Sequence, residues 1–239
     1  MISQVHYFER VSSTMDVLHQ LASEGAEAGA AVVAGEQLEG RGSRGRWWHS
    51  PPGGLWLSVL FRPSAAAGVE VTSIRVGLAV AEALDPFATQ PLHLKWPNDL
   101  MLSGRKLGGV LCEARWQGDA LGWIVVGMGI NVRNRIPEEL RSGAISLADE
   151  RPDISPETLV EPVVSALRRL GLNAPQLSPA ELAHFARRDW LRGREVSGPV
   201  AGTAAGLRED GALLVRSTDG PDVSLRSGPV QLAAVFHGR

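Results

Sequence analysis

The chain has one cysteine, Cys112, in 239 residues. No disulfide can form within it, which fits a reducing compartment, and its place inside an apolar run marks a small core side chain rather than a nucleophile. Net charge is nearly absent as well. Twenty-four Lys and Arg against 26 Asp and Glu leave −2 at pH 7, so no global field draws the chain to nucleic acid. No apolar stretch reaches the length of a membrane span. Residues Met1 to Val11 lack the basic-then-apolar order of a signal peptide. These absences point to a soluble, cytoplasmic protein with no membrane partner. There is no internal repeat and no low-complexity tract. Composition is otherwise ordinary, 44% hydrophobic and 21% charged, and the length suffices for a real core.

Several catalytic signatures are missing too. There is no G-x-x-x-x-G-K-[ST] phosphate loop and no G-x-S-x-G elbow. No His/Cys/Asp/Glu cluster has metal-ligand spacing. Gly40 to Gly45 does satisfy G-x-G-x-x-G, but a dinucleotide fold needs a helix to follow. Here Trp47-Trp48-His49-Ser50-Pro51-Pro52-Gly53-Gly54 follows, which cannot form one. A kinase glycine loop lies between strands, yet the chain has no H-R-D and no D-F-G.

What is present is concentrated in Gly40-Arg41-Gly42-Ser43-Arg44-Gly45-Arg46, three glycines and three arginines in seven residues. Glycine bares backbone N–H groups and tolerates positive φ. Arginine offers planar forks of donors suited to phosphate and carboxylate. From Gly40 to Val69 there are four arginines and no acid. The stretch reads as a loop that wraps an anionic ligand and orders as it does so; a merely solvated basic loop is the alternative.

Around it the periodicity predicts alternating elements. Ser13-Thr14-Met15-Asp16 reads as a capping box, Ser13 at the N-cap and Asp16 at N3, opening a helix that Gly25 ends. Residues 30–36 and 55–62 read as strands flanking the loop, the second with Leu55, Leu57, Val59 and Phe61 on one face. A helix is predicted over 71–84. A strand then runs into Trp96, and Pro97 turns the chain to present Asn98 and Asp99 at the sheet end. Trp96 itself reads as core or wall, and His49 and His93 as incidental. Residues 100–107 form a short excursion around a Ser103-Gly104 turn. Segments 109–116 and 121–126 form a hairpin, and the second strand runs into Gly127-Met128-Gly129-Ile130-Asn131-Val132. Glycines at alternate strand positions often mark a close approach of ligand. Helices open at Ser155-Pro156 and at the capping box Ser178-Pro179-Ala180-Glu181, the latter carrying Trp190 and stopping by Gly193. From Arg194 on, short β-prone pieces alternate with Gly/Asp/Pro turns, including Asp219-Gly220-Pro221, which suggests a small all-β barrel. The expected division is residues 1–190 and 191–239.

These blocks resemble the biotin protein ligases. Gln37 with Gly40 to Trp48 and then Ser50-Pro51-Pro52-Gly53-Gly54-Leu55 is similar to their biotin-loop signature. Lys95-Trp96-Pro97-Asn98-Asp99 with Arg105-Lys106-Leu107-Gly108-Gly109-Val110-Leu111 is similar to the second block, and Gly127 to Val132 to the third. Blocks, order and spacing agree over nearly the whole chain. The resemblance implies an α+β fold: a mixed-sheet catalytic domain with flanking helices, of the class II synthetase-like, biotin–lipoate ligase type, plus a small C-terminal SH3-like β-barrel. It implies a two-step ligase reaction with biotin as substrate and ATP with Mg²⁺ as co-substrate. Biotinyl-5'-AMP forms first; its biotinyl group then passes to a lysine of a biotin carboxyl carrier protein domain of a carboxylase.

By the family pattern, Lys106, Arg41 and Asp99 are catalytic, Asp99 helping to deprotonate or orient the incoming lysine. Ser13, Thr14, Met15, Gln37, Gly40, Arg41, Gly42, Ser43, Lys106 and Gly109 face biotin. Arg41, Arg44, Arg46, Trp48, Asn98 and Asn131 face the nucleotide, and no fixed metal site is implied. Two positions depart from the pattern. Ser43 stands where many members carry an arginine that helps retain the adenylate, and Met15 stands where asparagine is common. No DNA-binding region is recognised ahead of the catalytic blocks, which resembles the monofunctional class without DNA as partner. Homodimers through a sheet edge occur among such ligases and stay open here. Two rivals remain: a lipoate or octanoyl transfer enzyme on the same fold, and a biotin-sensing module without catalysis.

Overall fold

Leu55-Trp56-Leu57-Ser58-Val59-Leu60-Phe61 alternates in a way that predicts one buried face, yet all seven residues are buried. The reason is a layer on each side of the strand. Leu55, Leu57, Val59 and Phe61 belong to one apolar cluster, whereas Leu60 belongs to a second with Met15, Leu18 and Ala22. A strand packed on both faces reads as a continuous apolar run.

The structure is a computed structural model describing residues 4–63, 70–218, 220–228 and 230–233. The predicted turn at Asp219 falls partly outside the described residues. In chain order come β1 (Val5–Val11), α1 (Thr14–Ser23), β2 (Ala31–Gln37), β3 (Leu55–Phe61), α2 (Thr72–Leu84), β4 (His93–Lys95), β5 (Asp99–Leu102), β6 (Arg105–Gln117) and β7 (Ala120–Ile130). Then follow α3 (Pro156–Arg168), α4 (Pro179–Arg188), β8 (Glu195–Ser197), β9 (Gly202–Leu207), β10 (Leu213–Ser217), β11 (Val223–Leu225) and β12 (Gln231–Leu232). No described helix is long and apolar enough to cross a membrane.

The first seven strands form one mixed sheet in the order β1-β2-β3-β7-β6-β5-β4. Only β1 and β2 run parallel, joined through α1 as crossover; the other neighbours are antiparallel. Helix α1 covers one face and α2 and α3 the other, so the mixed sheet with flanking helices is as expected. Strand β5 turns into β6 through Ser103 (φ 49°) and Gly104 (φ 74°). Two successive positive φ values make the tight hairpin connection that matches strand twist.

Two local expectations need correction. Ser13 is the N-cap of α1 and accepts from Met15 N, but Asp16 does not close the box; its carboxylate is taken by Arg41, 2.8 Å away. Helix α4 ends at Arg188, short of Trp190. Asp189 turns extended and pairs with Leu94, and Trp190 N donates to the Leu94 carbonyl at 3.0 Å. The sheet edge outcompetes another helical turn.

The C-terminal unit is a five-stranded antiparallel sheet, β11-β10-β9-β8-β12, in keeping with the SH3-like expectation. Among the described residues its end strands share no ladder, because two-residue β12 pairs with β8, so barrel closure is not part of the described sheet. One apolar cluster runs from the large sheet into this one, taking in Leu94, Trp96, Val196, Leu213 and Val215. Trp96 is core, and its indole Nε1 donates to the Gly211 carbonyl at 2.9 Å.

Arg75 of α2 is 4% exposed. It donates to Glu181 (2.6 Å) and to the Ala174 and Gln176 carbonyls (2.8 and 2.6 Å), tying α2 to the approach and first turn of α4. Arg75→Leu strands those acceptors and should lower stability by about 1–3 kcal/mol in urea unfolding. A loss below about 0.5 kcal/mol, the usual size for a neutral surface change, would show that the tie is dispensable.

Candidate active site

The glycine–arginine stretch lies between β2 and β3, beside the end of the sheet where β6 and β7 carry their glycines. It has its own hydrogen bonds. Trp48 N donates to the Gly40 carbonyl (2.8 Å), Gly42 N to the Arg46 carbonyl (2.7 Å), and Ser43–Gly45 make one 3-10 turn. Gly40 has a steric reason to be glycine: a Cβ there would sit 2.4 Å from the Trp48 carbonyl oxygen and 2.5 Å from Ser50 Oγ. The loop expected to order only around a ligand thus already has a defined internal bonding pattern.

Beneath it is a cavity of about 370 Å³. Ser13, Thr14, Met15, Gln37, Arg41, Gly42, Ser43, Arg46, Trp48, Asn98, Lys106, Gly109 and Asn131 all reach its wall, thirteen of the residues singled out from sequence. Gly40, Arg44 and Asp99 do not. Gly40 braces the loop from behind, Asp99 sits behind Lys106, and Arg44 is exposed with φ 62°.

One end of the cavity is a fixed polar set. Gln37 Oε1 accepts from Thr14 N (2.8 Å) and Thr14 Oγ1 (3.0 Å), while Gln37 Nε2 donates to Ser50 Oγ (3.0 Å). Those partners fix which way the amide faces. Thr14 Oγ1 also pairs with Ser58 Oγ at 2.8 Å. Ser13, Thr14, Ser50 and Ser58 are all buried, so this is a desolvated donor–acceptor patch. Such a patch recognises a compact polar group and penalises one that cannot pair.

The floor is flat because glycines make it so. A Cβ on Gly127 would lie 2.5 Å from Met15 Sδ, and one on Gly129 would lie 2.3 Å from Trp48 Nε1. The glycines expected to mark close approach therefore admit Met15 and Trp48 against the strand. Trp48 Nε1 is buried and has no hydrogen-bond partner among the described residues.

The other end is cationic. Lys106 Nζ donates to Asp99 Oδ1 at 2.6 Å and lies 5.0 Å from the Trp48 ring centre, within cation–π range. Asn98 Nδ2 donates to the Val110 carbonyl at 2.6 Å. Asn134 Nδ2 donates to Asn131 Oδ1 at 3.1 Å. Arg46 lines the cavity while donating to Ser43. Arg41, expected to face biotin and the nucleotide, lines the cavity, but its guanidinium donates to two carboxylates, Asp16 and Glu113.

Sequence reading missed four parts of the site. Lys95 is half-buried beside the same charges. Burial chiefly, then Lys106 and Arg46, push its ammonium below the ordinary lysine range, against the pull of Asp99. Glu113 looked like one polar residue in a strand. His49, taken as incidental, lines the cavity and packs edge-on against Trp47, ring centres 5.2 Å apart. Ile136, Pro137, Leu140, Gly143 and Ala144 close one side. That segment is tied to the Lys106 backbone: Lys106 N donates to the Gly143 carbonyl and Ile145 N to the Lys106 carbonyl. Nothing in its irregular sequence signals this; only the Ile145–Leu147 apolar pair hints at an anchored edge. Among the described residues no group of three or more His, Cys, Asp and Glu could hold a metal ion.

The profile of the biotin/lipoate A/B protein ligase family matches residues 7–131. The chain is 31% identical over 234 residues to the biotin–[acetyl-CoA-carboxylase] ligase of Paracoccus denitrificans, covering 90% of this chain and 92% of that one. It is 29% identical over 232 residues to the bifunctional ligase/repressor BirA of Bacillus subtilis, covering 90% of this chain and 70% of the relative. Among solved structures, the biotin protein ligase of Aquifex aeolicus in complex with biotin and ATP superposes with a TM-score of 0.79 at 29% identity, over 96% of this chain and 98% of that one.

Gly129→Ala should displace Trp48 from the floor while the fold persists. Far-UV circular dichroism stays unchanged, tryptophan emission shifts to longer wavelength, and the shift vanishes in a Trp48→Phe background. An unshifted spectrum would mean the strand yields instead of the indole.

Proposed function

The chain belongs to the biotin/lipoate A/B protein ligase family, and we propose from that premise that it is an ATP-dependent biotin protein ligase. Its substrates are biotin, ATP with its Mg²⁺, and a lysine on the biotin carboxyl carrier domain of a carboxylase. The observation that carries the reading is the polarity of the cavity along its length: a desolvated polar patch at Gln37, a flat glycine floor, and a cation at Lys106. Biotin has the same order of parts: a ureido group, an apolar ring and chain, and a carboxylate.

In the first step a biotin carboxylate oxygen attacks the α-phosphorus of ATP. The bond to the bridging oxygen of the β-phosphate breaks, and pyrophosphate leaves with its charge shielded by Mg²⁺. Two anions must approach, so the protein's contribution is positioning and fixed positive charge. Lys106 supplies that charge, held in place by Asp99 and the face of Trp48. Ser13, Thr14 and Gln37 orient the ureido end. Arg46, Asn98 and Asn131 take the nucleotide side, with Trp48 between. In the second step the carrier lysine attacks the acyl carbon of biotinyl-5'-AMP, AMP leaves, and the amine gives up a proton. Asp99 is the carboxylate that orients or receives it.

Lys106→Gln should cut biotin-dependent ATP–pyrophosphate exchange by about 100- to 1000-fold, the cost of removing one preorganised charge-stabilising group. Asp99→Asn should slow transfer from preformed biotinyl-5'-AMP and flatten the pH profile of that step. Mass spectrometry of a carrier domain given biotin, MgATP and the protein reads the product, and labelled lipoate in competition reads the choice of acid. Exchange at the wild-type rate in Lys106→Gln would defeat the assignment.

A further inference from the structure

We propose that Glu113, together with Asp16, is a positioning residue that grips the Arg41 guanidinium and so holds the glycine–arginine loop down on the cavity, Arg41 acting as the loop's latch rather than as a phosphate ligand. The inference rests on the ligase reading and goes beyond it.

The geometry runs through four elements. Arg41 Nη1 donates to Asp16 of α1 at 2.8 Å, and Arg41 Nε donates to Glu113 Oε1 of β6 at 3.3 Å. Behind Glu113 stands His19, also of α1, with its Nε2 3.0 Å from Glu113 Oε2. Behind His19 stands Trp123 of β7, whose indole Nε1 donates to His19 Nδ1 at 2.9 Å. Indole nitrogen only donates, so Nδ1 accepts and Nε2 carries the hydrogen that Glu113 receives. One carboxylate oxygen is thus spoken for by His19, and the other is left facing Arg41. Arg115 approaches the His19 side of the same carboxylate at 3.7 Å from the rim.

Two features make this a device of the site rather than a decoration of the surface. Glu113 lies on the strand face of Gly109 and Leu111, two residues past cavity wall. Asp16 and His19 lie on α1, whose first residues, Thr14 and Met15, line the cavity. The loop is therefore fastened to the elements that hold the ligand. Charge points the same way: Arg41 faces two carboxylates, and with Arg115 the cluster balances two guanidiniums against two carboxylates, so little of the Arg41 charge is left to draw a phosphate. Glu113 stays ionised, because the His19 hydrogen bond above all, then Arg41, holds its carboxyl below the usual range against the opposing effect of burial.

The test uses the full chain without ligand. Limited trypsin digestion is followed by mass for fragments ending at Arg44 and Arg46, where cleavage follows the open population of the loop. Glu113→Gln should raise cleavage there about tenfold, the order expected for loss of a charge-assisted bond. Arg41→Gln should do the same, and the double variant should be no worse than either. In biotin-dependent pyrophosphate exchange, the KM for biotin should rise in all three variants by similar factors. Cleavage at the wild-type rate in Glu113→Gln overturns the proposal. So does an Arg41→Gln loss of exchange more than about tenfold deeper than that of Glu113→Gln, beyond what one lost charge-assisted bond explains. If Glu113→Gln fails to fold by circular dichroism, the half-exposed Asp16→Asn carries the same comparisons. Absence of exchange in the wild type would refute the ligase reading alone, since the cleavage comparison needs no ligand.

Discussion

The missing side chains at Gly127 and Gly129 are the constraint on which the site depends. A strand in the middle of a seven-stranded sheet normally bristles on both faces, and here two successive same-face positions of β7 are bare. Met15 and Trp48 fill the space, one from a helix and one from a loop, and both would collide with a methyl group. Trp48 provides the ring over which Lys106 is held, and the loop bearing Trp48 is closed by the Gly40 contact that only glycine permits. Sheet, loop and lysine are one steric arrangement. A glycine in a strand costs stability through entropy and lost packing; here that cost is set against the packing of Met15 and Trp48 onto the bare strand.

Charge is distributed with similar economy of means. Among the described residues Lys106 has Asp99, Arg41 has two carboxylates, and Arg46 has the oxygens of Ser43. Lys95 is the group that suffers, half-buried beside two like charges with the Trp190 ring 5.5 Å away as partial compensation. Burial is the larger cause of the lowered Lys95 pKa, and the neighbouring cations add to it.

The sheet, the helices and the position of the loop were legible because they depend on local pattern: Leu55 to Phe61, the turn at Ser103-Gly104, the box at Ser178. Thirteen of the sixteen residues picked from the blocks line one cavity. What stayed hidden depends on partners distant in the chain. That Ser58 and Leu60 are buried follows from α1 lying on them, which no alternation in β3 announces. The departure of Trp190 from α4 follows from the Leu94 edge. The wall at 136–144 has no period at all, since it is positioned by two backbone bonds to Lys106. Glu113 was the hardest to see, because its meaning lies in His19, Arg41 and Trp123, residues 94, 72 and 10 positions away, the last reached only through His19.

The strength of the Arg41 grip sets what the loop can do. Arg41 and Asp16 keep 34% and 45% of their side-chain surface exposed, so that pair contributes about 0–1 kcal/mol. Glu113 is less exposed, at 22%, and is braced by His19, so it carries the larger share. A hydrogen bond to a charged group contributes about 1.5–3 kcal/mol. A latch of that order adds to the loop's own hydrogen bonds and to the packing of Trp48 on β7, and is weak enough to be broken during turnover. Ligands must enter beneath the loop and AMP must leave from it, so a much tighter grip would throttle turnover, while a much weaker one would leave a reactive mixed anhydride open to water. With Ser43 at the fourth place, the loop has one arginine fewer to press on the ligand directly, and more of the burden of closure rests on Arg41 and the acids that hold it.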